Sequence, residues 1–183
     1  ATGFRPGIVQ SRVQVQSLAL AGVPASVALS PESSTNYEFG LKWRNPDRSL
    51  NVGLNLYLLQ YTNLQTSVTG GINSVNGFAN FGDATTKGVD LEVHWDTPLT
   101  GLNLGFVGNF NDSKYDSVNS VIAAAQPLLR PGARLLNTLS NNYRFDINYN
   151  RDISSNLKLF SNVSLSHSGD RLQASGLTVQ PYN

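Results

Sequence analysis

The chain has 183 residues, enough for one domain with a core of its own. Only 14% of it is Asp, Glu, Lys or Arg and only 40% is hydrophobic, whereas average soluble domains carry about 25% charged residues. The net charge of +1 with no basic cluster argues against nucleic acid as a partner, and the absence of cysteine excludes disulfides, thiolate metal sites and cysteine nucleophiles.

The chain starts at Ala1 and contains no methionine, which reads as a piece of a longer product. Val13 to Leu29 is free of charge but interrupted by Gln14, Gln16, Ser17, Gly22, Pro24 and Ser26. It is too short and too broken for a spanning helix of about 20 apolar residues. A membrane location would therefore require a barrel, because only helices and closed barrels satisfy every backbone group in lipid.

From Tyr37 a period-two pattern begins. Tyr37, Phe39, Leu41 and Trp43 alternate with Glu38, Gly40, Lys42 and Arg44, and successive strand side chains point to opposite faces. The second run sets Leu50, Val52, Leu54, Leu56 and Leu58 against Asn51, Gly53, Asn55 and Tyr57. The third sets Val89, Leu91, Val93 and Trp95 against Asp90, Glu92, His94 and Asp96. A fourth runs Leu102, Leu104, Phe106, Gly108, Phe110, a fifth Tyr143, Phe145, Ile147, Tyr149, and a sixth Leu157, Leu159, Ser161, Val163, Leu165. The apolar sides carry no charge, whereas the opposite sides hold Glu38, Lys42, Arg44, Asp90, Glu92, Asp96, Arg144, Asp146 and Lys158.

Short turn-rich links join hairpins at about 35–60, 88–112 and 142–167, while long connections cover 1–34, 61–87, 113–141 and 168–183. Tight turns at one rim and long loops at the other are the habit of outer-membrane barrels. Ten residues at about 3.3 Å, tilted about 40°, rise about 25 Å, the height of the apolar band. Tyr37, Phe110 and Tyr143 toward the long loops and Trp43, Trp95 and Tyr149 toward the turns suit two interfacial girdles.

The expected fold is all-β, an antiparallel up-and-down meander of about six long strands forming a section of a transmembrane β-barrel. Phe39, Leu41, Trp43, Val52, Leu54, Leu56, Leu91, Val93, Trp95, Leu104, Phe106, Phe145 and Ile147 are expected to face outer-membrane lipid. Glu38, Lys42, Arg44, Asp90, Glu92, His94, Arg144 and Asp146 are expected to face the lumen as a possible substrate path. The alternatives are a soluble β-sandwich used as a binding module and a passive porin-type barrel.

Three segments carry a family resemblance. Leu29-Ser30-Pro31-Glu32 followed by Asn36-Tyr37-Glu38-Phe39-Gly40-Leu41-Lys42 resembles the Pro-Glu, then Asn-Tyr-Glu-x-Gly-x-Lys segment of TonB-dependent outer-membrane receptors. Gln60 to Gln65 is similar to the end of that family's next strand. Asn80 to Glu92 is similar to its Asn-x-Gly, then Gly-Val-Glu-Leu-Glu segment, with Asp90 in place of the first glutamate. The resemblance covers Leu29 to about Asp116, and the remainder follows by pattern.

It implies a large plugged barrel of the 22-stranded kind in the bacterial outer membrane, importing a scarce ligand with energy from TonB. The plug domain, through which the TonB complex would act, lies outside these residues. The implied ligand is of siderophore-iron, cobalamin or carbohydrate type, and its identity is not encoded here.

Other chemistry is weaker. His94 and His167 lie far apart without ligand spacing, and Asp90 with Glu92 reads as a solvated or ion-paired wall beside charges such as Lys42 and Arg44 rather than as an acid–base pair. Asn111 to Asp116 lacks the glycine and glutamate of a calcium loop. Gly70-Gly71 reads as a loop element, and Tyr61 to Asn80 as solvated loop with some capacity for ligand contact. Ala123 to Leu129 is expected to form a short helix ended by Pro127 or Pro131. No catalytic residue, metal site or cofactor is expected.

Overall fold

The computed structural model describes residues 1–68, 76–125, 129–175 and 178–182. Seven strands form one sheet in the order β1-β2-β3-β4-β5-β6-β7, every neighbour antiparallel. They are β1 (Thr2–Arg5), β2 (Glu32–Arg44), β3 (Leu50–Val68), β4 (Gly77–Asp96), β5 (Leu102–Val118), β6 (Asn141–Ser154) and β7 (Leu157–Ser168). The sheet is open: β1 and β7 are its edges. The meander is as the alternation predicts, with the short β1 added at one edge.

Turn chemistry sets the hairpins. Between β2 and β3 the Asn45 side chain accepts from Leu50 N at 2.8 Å, and Asp47 accepts from the backbone N–H of Ser49 at 3.0 Å and its hydroxyl at 2.9 Å. Those bonds, the backbone one foremost, hold the Asp47 carboxyl below its usual range. Arg48 takes φ 66° there. Between β4 and β5, Gly101 sits at φ 86°, and a Cβ on it would lie 2.0 Å from Asn150 O, so only glycine fits. The β6–β7 link is just Ser155 and Asn156, tighter than the sequence suggests.

Register carries the apolar alternation across the sheet in rows. Trp43, Val52, Val93, Phe106, Phe145 and Leu165 are successive Cα partners, as are Leu41, Leu54, Leu91, Gly108, Tyr143 and His167. Among the described residues no second layer covers this face. Phe39 is 65% exposed, Leu41 54%, Trp43 51% and Leu165 67%, where a sandwich would bury them. The soluble β-sandwich is thereby excluded.

The buried cluster lies elsewhere, at the long-loop end. It comprises Leu18, Val23, Val68, Ala79, Phe81, Ala84, Tyr115, Ile122 and Leu129. Tyr115 follows Asn109, Asn111 and Ser113 at steps of two in β5, which places it on the polar side of the sheet, and the Phe81 ring meets it edge-on at 5.7 Å. This cluster therefore closes one end of the polar face.

The regions read as loops are largely structured. β3 and β4 extend through most of 61–87, leaving 69–76 between them, and residues 69–75, with the Gly70-Gly71 pair, lie outside the described residues. Register shifts between Tyr61 and Gln65, with Asn63 at φ 57°, and between Asp83 and Ala84 interrupt the period of two. In 1–34 stand β1 and helix α1 (Arg12–Leu20), opened by a Ser11–Gln14 capping box. Gly77 admits α1: a Cβ there would lie 2.5 Å from Leu18 Cδ1.

The Gln10 side chain fixes this segment to β4. It accepts from Phe78 N and donates to Phe78 O, each at 2.9 Å. In 113–141, β5 continues to Val118, and helix α2 (Ser120–Ala125) begins three residues before the expected Ala123; residues 126–128 lie outside the described residues. In 168–183, β8 (Arg171–Ser175) pairs with β9 (Thr178–Tyr182).

Candidate functional site

The sheet's polar face is assembled from the same rows, one residue out of phase. Lys42, Gly53, Glu92, Val107, Arg144 and Ser166 are successive partners across β2 to β7. The adjacent rows are Gly40, Asn55, Asp90, Asn109, Asn142, Ser168 and Arg44, Asn51, His94, Gly105, Asp146, Ser164. Glu38 stands one row further, opposite Tyr57. The eight charged or imidazole side chains singled out from sequence thus share one face. The sheet curves to form a concavity of about 860 Å³ there, lined by Lys42, Asn55, Asp90, Glu92, Asn109 and Arg144 among others.

Asp90 is the centre of a side-chain network that runs along the face. Its carboxylate accepts from Asn109 Nδ2 at 2.6 Å and from Asn55 Nδ2 at 3.4 Å. Asn109 also donates to the Tyr57 hydroxyl at 2.9 Å and accepts from Asn111 at 3.0 Å. Asn111 in turn accepts from Ser113 Oγ at 3.0 Å and donates to Leu139 O at 2.6 Å. A chain of neutral amides therefore links the mid-face carboxylate to the packed end. Of the solvated or ion-paired wall expected around Asp90, no ion pair to that carboxylate occurs among the described residues, since β3 lies between β4 and the bases of β2.

Charge pairing occurs lower on the face. Arg144 Nε donates to Asp146 at 2.7 Å, and Asp146 also accepts from Ser164 Oγ. Arg44 donates to Asn51. His94 lies 3.2 Å from Asp96, which also accepts from Asn103, so His94 has the carboxylate neighbour that its sequence spacing hid.

No group of three metal-ligating side chains occurs among the described residues. Asn111 to Asp116 is strand rather than loop, with Lys114 Nζ 2.8 Å from Asp112 and Asp116 accepting from Thr85 Oγ1 at 2.6 Å. His167 stacks on Tyr143 with ring centroids 4.8 Å apart, on the apolar side. Asn55, Asn109 and Tyr57 are the residues that charge counting passed over. Alternation had already set Asn55, Asn109 and Tyr57 on the polar side, and that was the usable signal.

The face offers acceptors and donors to a polar occupant. A family model described as TonB dependent receptor-like, beta-barrel matches residues 1–182. Among solved structures, the ferric yersiniabactin uptake receptor FyuA from Yersinia pestis is similar at a TM-score of 0.63 and 19% identity, over 94% of this chain and 23% of that one. BauA, the ferric preacinetobactin receptor from Acinetobacter baumannii, is similar at 0.62 and 13% identity, over 93% and 23%. The chain thus spans about a quarter of each of these proteins. No curated protein matches it.

Asn109→Ala in the full-length protein removes the shorter bond to Asp90 and the donor to Tyr57, and the expected loss of stability is about 1–3 kcal/mol. Asn103→Ala, at the exposed turn end, is expected to cost less than about 1 kcal/mol. Urea titration of the folded band checks both.

Proposed function

Because this chain belongs to the TonB-dependent receptor β-barrel family, we propose that it forms a wall sector of an outer-membrane active transporter that imports a scarce ligand with energy from TonB. Proteins of this family are transport receptors of the outer membrane, not enzymes, and the chain is assigned there with them. The two receptors named above are a ferric yersiniabactin uptake receptor and a ferric preacinetobactin receptor, which favours siderophore-iron as the ligand class over cobalamin or carbohydrate.

The uncovered apolar face carries this reading. From Val89 to Trp95 the outward side of β4 holds Val89, Leu91, Val93 and Trp95, six residue steps or about 20 Å. Two residues beyond Val89, Lys87 and its partner Asp112 stand in the rows on that same side, near the edge of a band of about 25 Å. Phe39, Leu41, Trp43, Val52, Leu54, Leu56, Leu104, Phe106, Phe145 and Ile147 complete the lipid-facing set. Glu38, Lys42, Arg44, Asp90, Glu92, His94, Arg144 and Asp146 line the lumen. The TonB complex would act through the plug domain, which these residues do not include.

Leu54→Arg in the full-length receptor is expected to cost about 2–4 kcal/mol at mid-bilayer depth, while the adjacent Asn55→Arg, on the lumen side, is expected to be tolerated. Equal loss of heat-modifiable protein from both would contradict the assigned faces. Energy coupling is read separately: cells lacking TonB are expected to take up no ferric siderophore through the receptor. Undiminished uptake would favour the passive porin.

A further inference from the structure

Strand β6 begins at Asn141, opposite Phe110, so from Asn111 to Val118 strand β5 has no strand beside it on that side. A bare ladder edge there would leave N–H and C=O groups unpaired. Residues 132–140 of the connection that follows β5 turn back along it instead. Asn111 N donates to Ser140 O at 2.8 Å, Leu135 N to Ser113 O at 2.9 Å, Tyr115 N to Ala133 O at 3.0 Å and Gly132 N to Tyr115 O at 2.7 Å. The Asn111 side chain adds a bond to Leu139 O at 2.6 Å.

This strap is not a regular strand. At Asn137, φ 61°, it bulges out of the ladder, and the Thr138 hydroxyl closes the bulge by donating to Leu135 O at 2.7 Å. The bulge meets the connection that follows β7. Asn137 N donates to Leu172 O at 2.8 Å, and Leu139 and Arg171 form an isolated antiparallel bridge. Two connections separated in sequence by the whole β6–β7 hairpin are thereby in contact.

Arg134 sits where they meet. Its Nη2 donates to Thr138 O at 2.8 Å within the bulge and to Asp170 O at 2.6 Å across the contact, and its Nη1 donates to Asp170 Oδ2 at 3.2 Å. The side chain is only 24% exposed. A planar guanidinium holds these three oxygens in one fixed geometry, which a lysine ammonium would not. Two of the three are main-chain carbonyls, so the contact fixes the positions of two backbones rather than merely pairing charges.

We infer that Arg134 clasps residues 132–140 and Asp170 to Leu172 into one body, so that the connection after β5 and the connection after β7 leave the wall together and never one at a time. Opening is then a single cooperative event. Because one side chain holds both segments, this part of the long-loop end has two shapes, clasped and released, with no half-open one between them. The clasp is independent of the ligand class proposed above.

Residue-resolved amide hydrogen exchange on the full-length receptor, without ligand, tests this. Leu135 N is bonded to β5 and Asn137 N to Leu172, and one body requires equal protection factors at the two. Arg134→Gln is expected to split them, lowering protection at Asn137 at least about tenfold relative to Leu135, as for loss of one charge-assisted hydrogen bond. Phe78 N, held by Gln10, is the reference for an intact fold and is expected to keep its protection. Leu139→Cys with Arg171→Cys stand at bridge partners, within reach of a disulfide, and closing it in the Arg134→Gln receptor is expected to bring Asn137 back to the protection of Leu135. Unequal protection in the unaltered receptor would overturn the clasp, a comparison that stands even where Arg134→Gln disturbs Phe78. An unchanged ratio in Arg134→Gln with Phe78 intact, or a closed disulfide that leaves Asn137 exposed to exchange, would overturn it as well.

Discussion

The structure depends on a sheet that buries backbone polarity in its own ladder yet leaves one side-chain face with nothing of its own to lie against. Every strand from β2 to β6 has a neighbour on both sides along at least part of its length, so the N–H and C=O groups of those paired stretches are satisfied within the wall. The apolar rows then stand outward, and Trp43 and Phe145 in the same row are 51% and 37% exposed. In water such a face is a liability. Contact with hydrocarbon, as proposed for this face, would give it a matching solvent.

The opposite face follows from the same alternation. One residue out of phase, it collects the charges, and the Asn55–Asp90–Asn109 network holds a carboxylate in place without a cation. Packing is confined to the far end, where register shifts turn Phe81 toward Tyr115 and α1 docks over Gly77. The chain is thus a wall below and a small folded mouth above. The wall presents fixed polar groups, and the mouth narrows one end of the space they line.

How much of this could be read from residues alone depended on whether period two was kept. From Tyr37 to Arg44 and from Val89 to Asp96 nothing interrupts it, so strand, phase and neighbours were legible. Beyond Tyr61 the bulge at Asn63 shifts the register, and Thr, Ser and Asn replace the Leu and Val that made the phase visible. The ends of β3 and β4 therefore read as loop. Helix α1 was hidden for another reason: nine residues with two Gln and one Ser among them give no apolar stripe, and its docking comes from Leu18 and from Gln10 just upstream rather than from its own pattern.

The central claim is that the two faces of this sheet meet different solvents. Spin labels placed one at a time on Leu54, Leu91 and Phe145 and on Asn55, Glu92 and Arg144, in the full-length receptor reconstituted into bilayers, read this directly through relaxation by oxygen and by a water-soluble nickel chelate. The account predicts high oxygen and low nickel accessibility for the first three and a low oxygen-to-nickel ratio for the second three. Matching accessibilities for neighbours such as 54 and 55, or the reverse phase, would contradict it.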